Sequence, residues 1–237
     1  MSVLKQIYND LLGLYGRQGW WPVTPVGGCR GDLPEGPIYG IGLKNDKQRL
    51  EIIFGAVLTQ NTQWKPNVER AIIELNRLDL IDIDRILNAN HEVIANAIKS
   101  SGYFNEKAKK LKKVAEFLKK NPIARLRKTD LRRVREMLLD INGVGPETAD
   151  SILLYALDRP IFVVDAYTRR IFSRLGLVNE DASYGDVQAF FMENLKHDAR
   201  LFNEYHALIV EHGKVVCTKK PVCNECVLGG FCPSGKL

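Results

Sequence analysis

Apolar positions recur at helical spacing along most of the chain. Leu4, Ile7, Leu11 and Tyr15 fall on one face of a helix that ends near Gly16. Leu50, Ile53, Phe54, Val57 and Leu58 predict a heavily buried helix over 47–60. Pro66 suits the first turn of a helix over 66–77. Further helices are predicted over 92–100 and 105–120. In the second, Ala108, Leu111, Ala115 and Leu118 form the apolar stripe. Lys107, Lys109, Lys110, Lys112 and Lys113 cover the rest, a solvated face that could also meet a polyanion. Thr129 or Asp130 caps a helix over 131–140, and Pro146 opens another that runs to about 157. Helices resume over 166–175, 185–195 and 198–212. The apolar run Ile161–Val164 is extended but too isolated to build a sheet, and residues 22–45, with many Gly and Pro, form an irregular connection. The expected class is all-α.

Composition narrows this modestly. Of 237 residues 45% are hydrophobic, enough for a sizeable core. Lys and Arg number 34 against 28 Asp and Glu, giving +6, which suits a solvated surface or a polyanionic partner. Lys5 and Asp10 interrupt the first apolar run, so no secretory signal is expected. No stretch approaches the ~18 apolar residues of a membrane span. A cytoplasmic protein is expected, and there clustered cysteines point to metal before disulfide.

Cys217, Cys223, Cys226 and Cys232 are spaced C-x5-C-x2-C-x5-C. Four thiolates so close in sequence can wrap a [4Fe–4S] cube or hold zinc, although structural zinc more often uses two close-spaced pairs. Cys29 stands apart as a free thiol.

Two further stretches carry chemistry. In Leu139–Asp150 a helix, the hairpin Gly143-Val144-Gly145 and a second helix follow in close order. Glycines allow the tight turn and a close approach of another backbone, and the hairpin amides can face one phosphate. About 20 residues later comes Phe162-Val163-Val164-Asp165-Ala166-Tyr167, where Asp165 stands ready to cap the next helix.

From about residue 45 onward the chain resembles the helix–hairpin–helix DNA glycosylases related to endonuclease III. The resemblance implies two helical lobes: a six-helix domain over 45–156 ending in the helix–hairpin–helix, and a helical cluster domain formed by 1–44 with 157–237. It implies that Asp165 is catalytic, that the four cysteines hold a [4Fe–4S] cluster, and that Lys219 and Lys220 touch phosphate. The first spacer of the cysteine loop is one residue shorter than is usual in that family. Gly143, Val144, Gly145 and Thr148 would contact DNA, with Gln60 or Asn61 filling the space left by an extruded base.

Gly19-Trp20-Trp21-Pro22, the run Leu58–Gln63 followed by Trp64, Glu147 after the hairpin, and His212-Gly213-Lys214 are similar to the 3-methyladenine glycosylase branch. That likeness places Trp20, Trp21, Pro22, Trp64, Lys214 and Glu147 at the base pocket. The small bacterial form of that branch lacks the cysteine loop, so this chain joins features of two groups.

Bifunctional members carry a lysine where this chain has Glu147, and a glutamate forms no imine. The expectation is a monomeric, monofunctional glycosylase acting on damaged double-stranded DNA, with 3-methyladenine as the model base and lyase activity absent. Uracil, mismatched thymine or oxidised pyrimidines are the alternative substrates. A noncatalytic DNA binder is the alternative of another class.

Overall fold

The computed structural model describes residues 2–27 and 36–236, and Cys29 lies outside them. The chain divides into two compact units. A middle unit comprises Trp21–Arg159, and a terminal unit joins Met1–Trp20 to Pro160–Leu237. Among the described residues there are twelve α-helices and no strand, only a single antiparallel bridge between Val23 and Ile38.

The middle unit holds α2 (Asp46–Leu58), α3 (Glu69–Arg77), α4 (Ile83–Asn88), α5 (His91–Ala97), α6 (Phe104–Lys120), α7 (Ile123–Leu126), α8 (Leu131–Leu139) and α9 (Pro146–Ser151). Asn45 caps α2 through Gln48 N, and Asp130 rather than Thr129 caps α8 through Arg133 N. The run from Gln48 to Leu58 is buried throughout, as its apolar pattern requires. Its two charges are matched: Arg49 pairs with Asp158 at 2.8 Å, and Glu51 accepts from Thr24 N at 2.7 Å and Asn76 Nδ2 at 2.7 Å. Burial pushes the Glu51 carboxyl above its ordinary pKa despite these donors.

Several expectations change. Pro66 does not open α3; Trp64–Val68 form a wide π-turn before it, and α9 runs on into a second one, Ile152–Ala156. The helices α4 and α7 are too short for a periodic pattern to announce them. Residues 21–27 and 36–44, expected with the termini, group with the middle unit. The bridge to Ile38, the Thr24 N–H donating to Glu51 and the Gln48 amide donating to Thr24 O hold them there. Lys107 is no part of a wet face. It is 2% exposed, and its ammonium donates to Leu58 O and Ser101 O, each at 2.7 Å. Burial, then the charge of Lys110, lowers its pKa to about 8.

The terminal unit consists of α1 (Val3–Tyr15), α10 (Ala166–Arg174), α11 (Tyr184–Asn194) and α12 (Ala199–Val215). Its core is aromatic. Phe162 stacks on Phe191 at 3.8 Å, and Phe172, Phe202 and Tyr205 close around them edge-on. Each such ring contributes roughly 1.5–3 kcal/mol of burial. Ile161–Val164 belongs to no helix or strand and is wholly buried, and it delivers Asp165 to the start of α10.

Candidate functional site

Most residues singled out from sequence gather around four features: the hairpin and the Trp21–Trp64 pair in the middle unit, and Asp165 and the cysteine loop in the terminal unit. In the middle unit the hairpin follows α8. Gly143 has φ +95°, a conformation L side chains avoid, and a Cβ there would lie 2.8 Å from Lys110 Cε. Around Gly145 a Cβ would meet nothing within 4 Å, so another molecule's backbone could come close. Gly143, Gly145 and Glu147 are exposed, whereas Val144 and Thr148 are buried.

Gln60 is not loose beside this turn. Its amide donates to Gly143 O at 2.9 Å and Thr148 Oγ1 at 3.0 Å, while its oxygen accepts from Lys110 Nζ at 2.5 Å. Lys113 donates to Asn142 at 2.8 Å. The lysine side of α6 therefore braces the hairpin.

Of the middle unit's tryptophans, Trp21 packs edge-on against Trp64 at 5.3 Å and Tyr155 at 5.1 Å. Gly55 makes room beneath, since a Cβ would sit 3.2 Å from Trp64 and 3.3 Å from Trp21. Trp64 is 7% exposed, and its buried indole N–H has no hydrogen-bond partner. Pro22 is buried and Trp21 half-buried.

Among the described residues, three exposed ones other than glycine hold left-handed backbone conformations: Asn61 (φ 56°), Tyr103 (φ 47°) and Asp158 (φ 56°). Tyr103 is 74% exposed and precedes α6, an unusual place for a large aromatic. The sequence reading missed it. The only signal was an aromatic directly after Gly102 at a helix start.

In the terminal unit Asp165 caps α10. Its Oδ1 accepts from Thr168 N at 2.7 Å and Thr168 Oγ1 at 2.9 Å, and its Oδ2 lies 3.7 Å from His206 Nε2. Trp20 meets His206 edge-on at 6.2 Å, and Lys214 Nζ stands 5.7 Å from the Trp20 ring centroid. Burial lowers the His206 pKa; Asp165 opposes this and Lys214 reinforces it. The Tyr167 ring covers Gly213, where a Cβ would fall 2.5 Å from it. Burial and then Asp165 raise the Tyr167 pKa. Arg170 lies over Tyr167 at 5.1 Å and donates to Gly213 O and Cys217 O.

The four cysteines line one cavity of about 130 Å³ with Arg174 and Gly235. Among the described residues no group of three or more His, Cys, Asp or Glu is set to hold a metal ion. The sulfurs instead surround a space. Burial raises the Cys226 thiol, the Leu228 N–H opposes this, and the other three cysteines add to the rise. Four cysteines lining one space are the donor type that iron–sulfur clusters take. The donor set thus fits an iron–sulfur cluster. Arg174 Nη1 reaches Cys217 Sγ at 3.4 Å, and His212 links Tyr15 Oη (2.9 Å) to Cys226 Sγ (3.5 Å). Lys219 and Lys220 are exposed on this loop.

Comparison with known proteins is consistent in direction. Residues 54–197 match the family described as HhH-GPD superfamily base excision DNA repair protein. A Methanocaldococcus jannaschii protein, whose name places it provisionally among DNA repair glycosylases, is 45% identical over 98% of this chain and 97% of its own. Endonuclease III of Sulfolobus acidocaldarius is 32% identical over 76% of this chain and 79% of its own. Among solved structures, the H. pylori 3-methyladenine DNA glycosylase bound to 1,N6-ethenoadenine superposes with a TM-score of 0.67 at 25% identity, covering 90% of this chain and 95% of that one. A non-covalent endonuclease III–DNA complex shares the fold, with a TM-score of 0.70 at 20% identity over 100% of this chain and 98% of that one.

Proposed function

The chain belongs to the HhH-GPD superfamily of base excision DNA repair proteins and is a DNA glycosylase. We propose that it is a monofunctional enzyme that hydrolyses the N-glycosidic bond of an alkylated purine, of which 3-methyladenine is the type, extruded from double-stranded DNA.

The observation that carries this is the setting of Asp165. One carboxylate oxygen accepts from two donors of Thr168, so the helix start positions the group through that oxygen. Breaking the bond leaves positive charge on the sugar, and a fixed carboxylate stabilises that charge and orients the attacking water. Fixed electrostatics of this kind outperform solvent because they need no reorganisation.

The alkylated purine is cationic and already a good leaving group, so recognition can rest on aromatic faces. Trp20 carries a cation over its ring in Lys214, which supports the reading of that indole as a cation acceptor. Stacking is worth about 1–3 kcal/mol per base. The exposed Gly143–Gly145 turn, braced by Gln60 and Lys110, suits a strand phosphate, a contact that positions without reading sequence. Tyr103, exposed and held in a strained conformation, suits insertion between bases.

Glu147 stands on the exposed first turn of α9 and cannot attack a sugar as an amine, which supports hydrolysis over imine chemistry. Cys217, Cys223, Cys226 and Cys232 would hold a [4Fe–4S] cluster, which when bound closes a loop poor in apolar residues.

The test is release from a panel of lesion-bearing duplexes, with borohydride present in a parallel set. Release of 3-methyladenine without a trapped adduct is expected. Likeness to the Sulfolobus endonuclease III supports a second reading, an endonuclease III-like glycosylase for uracil, mismatched thymine or oxidised pyrimidines, and release of one of those in place of 3-methyladenine would replace the first.

A further inference from the structure

In the terminal unit, the three residues tied to base release by sequence pattern all border one that was not singled out. His206 lies on the buried side of α12, 5% exposed. Its Nε2 is 3.7 Å from Asp165 Oδ2, Trp20 meets its ring edge-on at 84°, and Lys214 is close enough to act on its charge. We propose that His206 is a positioning residue for base release: its neutral imidazole turns Nε2–H toward Asp165 Oδ2 while its ring backs the Trp20 indole. This rests on the glycosylase reading above.

The argument is mechanical first. A carboxylate anchored through one oxygen can still rotate about its last bond. Among the described residues, the hydrogen bonds that anchor Asp165 go to Oδ1, from Thr168. Oδ2 is the oxygen left to face developing charge, and His206 is the ring beside it. A small rotation of that ring closes 3.7 Å to a hydrogen bond, which fixes the carboxylate plane.

The charge state follows from the surroundings. A buried imidazolium would gain from Asp165 but lose to desolvation and to the Lys214 ammonium, and burial is the larger effect. A neutral donor leaves the whole negative charge of Asp165 available to the sugar. An imidazolium would cancel much of it. With 5% exposure the ring has little access to water, so it acts through Asp165 and Trp20 and does not take a proton from the nucleophile.

His206→Phe keeps the ring volume and removes the donor, whereas His206→Gln restores an N–H. Single-turnover release of 3-methyladenine from a methylated duplex should fall about 10²-fold in His206→Phe, the scale of a misplaced catalytic group. Duplex affinity should stay unchanged, and His206→Gln should regain most of the rate. A merely structural role predicts parallel losses of affinity and rate with no rescue, and that result overturns the proposal. So does full turnover by His206→Phe.

Imidazole ¹⁵N spectra of the DNA-free protein give a readout apart from activity. They should show a proton on Nε2 of a neutral His206, with a resonance that moves in Asp165→Asn. A bare Nε2, or no response to Asp165→Asn, also overturns it. If the wild-type protein released no base from any lesion, the glycosylase reading would fail, and the spectra would decide the contact with Asp165 by themselves.

Discussion

At the scale of single residues, Asp165 caps α10, and substitutions can separate that role from the catalytic one proposed for it. Asparagine caps a helix as well as aspartate does, so Asp165→Asn should fold with unchanged stability, while Asp165→Ala should lose about 1 kcal/mol with the cap. Tyr103 offers the opposite trade. Its left-handed backbone costs roughly 1–2 kcal/mol in a non-glycine residue, and its side chain is mostly in water. Tyr103→Gly should therefore raise the thermal midpoint by about 2–4 °C, measured by calorimetry, and slow base release. A lower midpoint with unchanged release would remove Tyr103 from the mechanism. Beside His212, whose pKa burial lowers to about 4, His206 contributes to the pH dependence. Its folded-state pKa is depressed, so below the unfolded value of 6.5 the unfolded chain takes a proton that the folded one resists. Stability contributed by this group is present above pH 6.5 and falls as pH drops below it, despite the opposing pull of Asp165. Urea midpoints at about pH 7 and pH 5 should differ less in His206→Phe than in wild type; equal drops would contradict this.

At the scale of elements, the hairpin is the most exacting piece. Gly143→Ala puts a Cβ at φ +95° and against Lys110, so a loss of about 1–2 kcal/mol is expected, together with weaker duplex binding in a titration. Unchanged affinity would mean that the turn does not grip the strand. This element was readable from sequence because its glycines and proline act locally. So were the Asp165 cap and the cysteine loop, which are set by spacing over a few residues. Lys107 was misread because a lysine's burial depends on carbonyls of Leu58 and Ser101, far from it in the pattern of α6. His206 was missed for a similar reason: in sequence it is one polar residue amid the apolar run of α12, and only packing puts it beside Asp165. The wide turn at Trp64–Val68 and the short α4 and α7 had no periodic signal to offer.

At the scale of the whole molecule, each unit carries a recognisable part of the chemistry. The middle unit presents a braced turn and an exposed tyrosine, and the terminal unit presents a carboxylate, an indole with its cation and a thiol-lined cavity. Within the terminal unit α10 joins these parts. Asp165 starts it, Arg170 ties it to Gly213 and Cys217, and Arg174 ends it at the cysteine loop. Of the adjacent indoles, Trp20 packs with the terminal unit and Trp21 with the middle one. The class and the family were legible from motifs, but this division of neighbours follows from tertiary packing that a linear pattern does not encode. The most direct measurement is single-turnover release of 3-methyladenine from methylated duplex by wild type and Asp165→Asn at matched DNA occupancy. The account predicts a rate about 10²–10³-fold lower in Asp165→Asn with affinity unchanged. Release at the wild-type rate by that variant would contradict it.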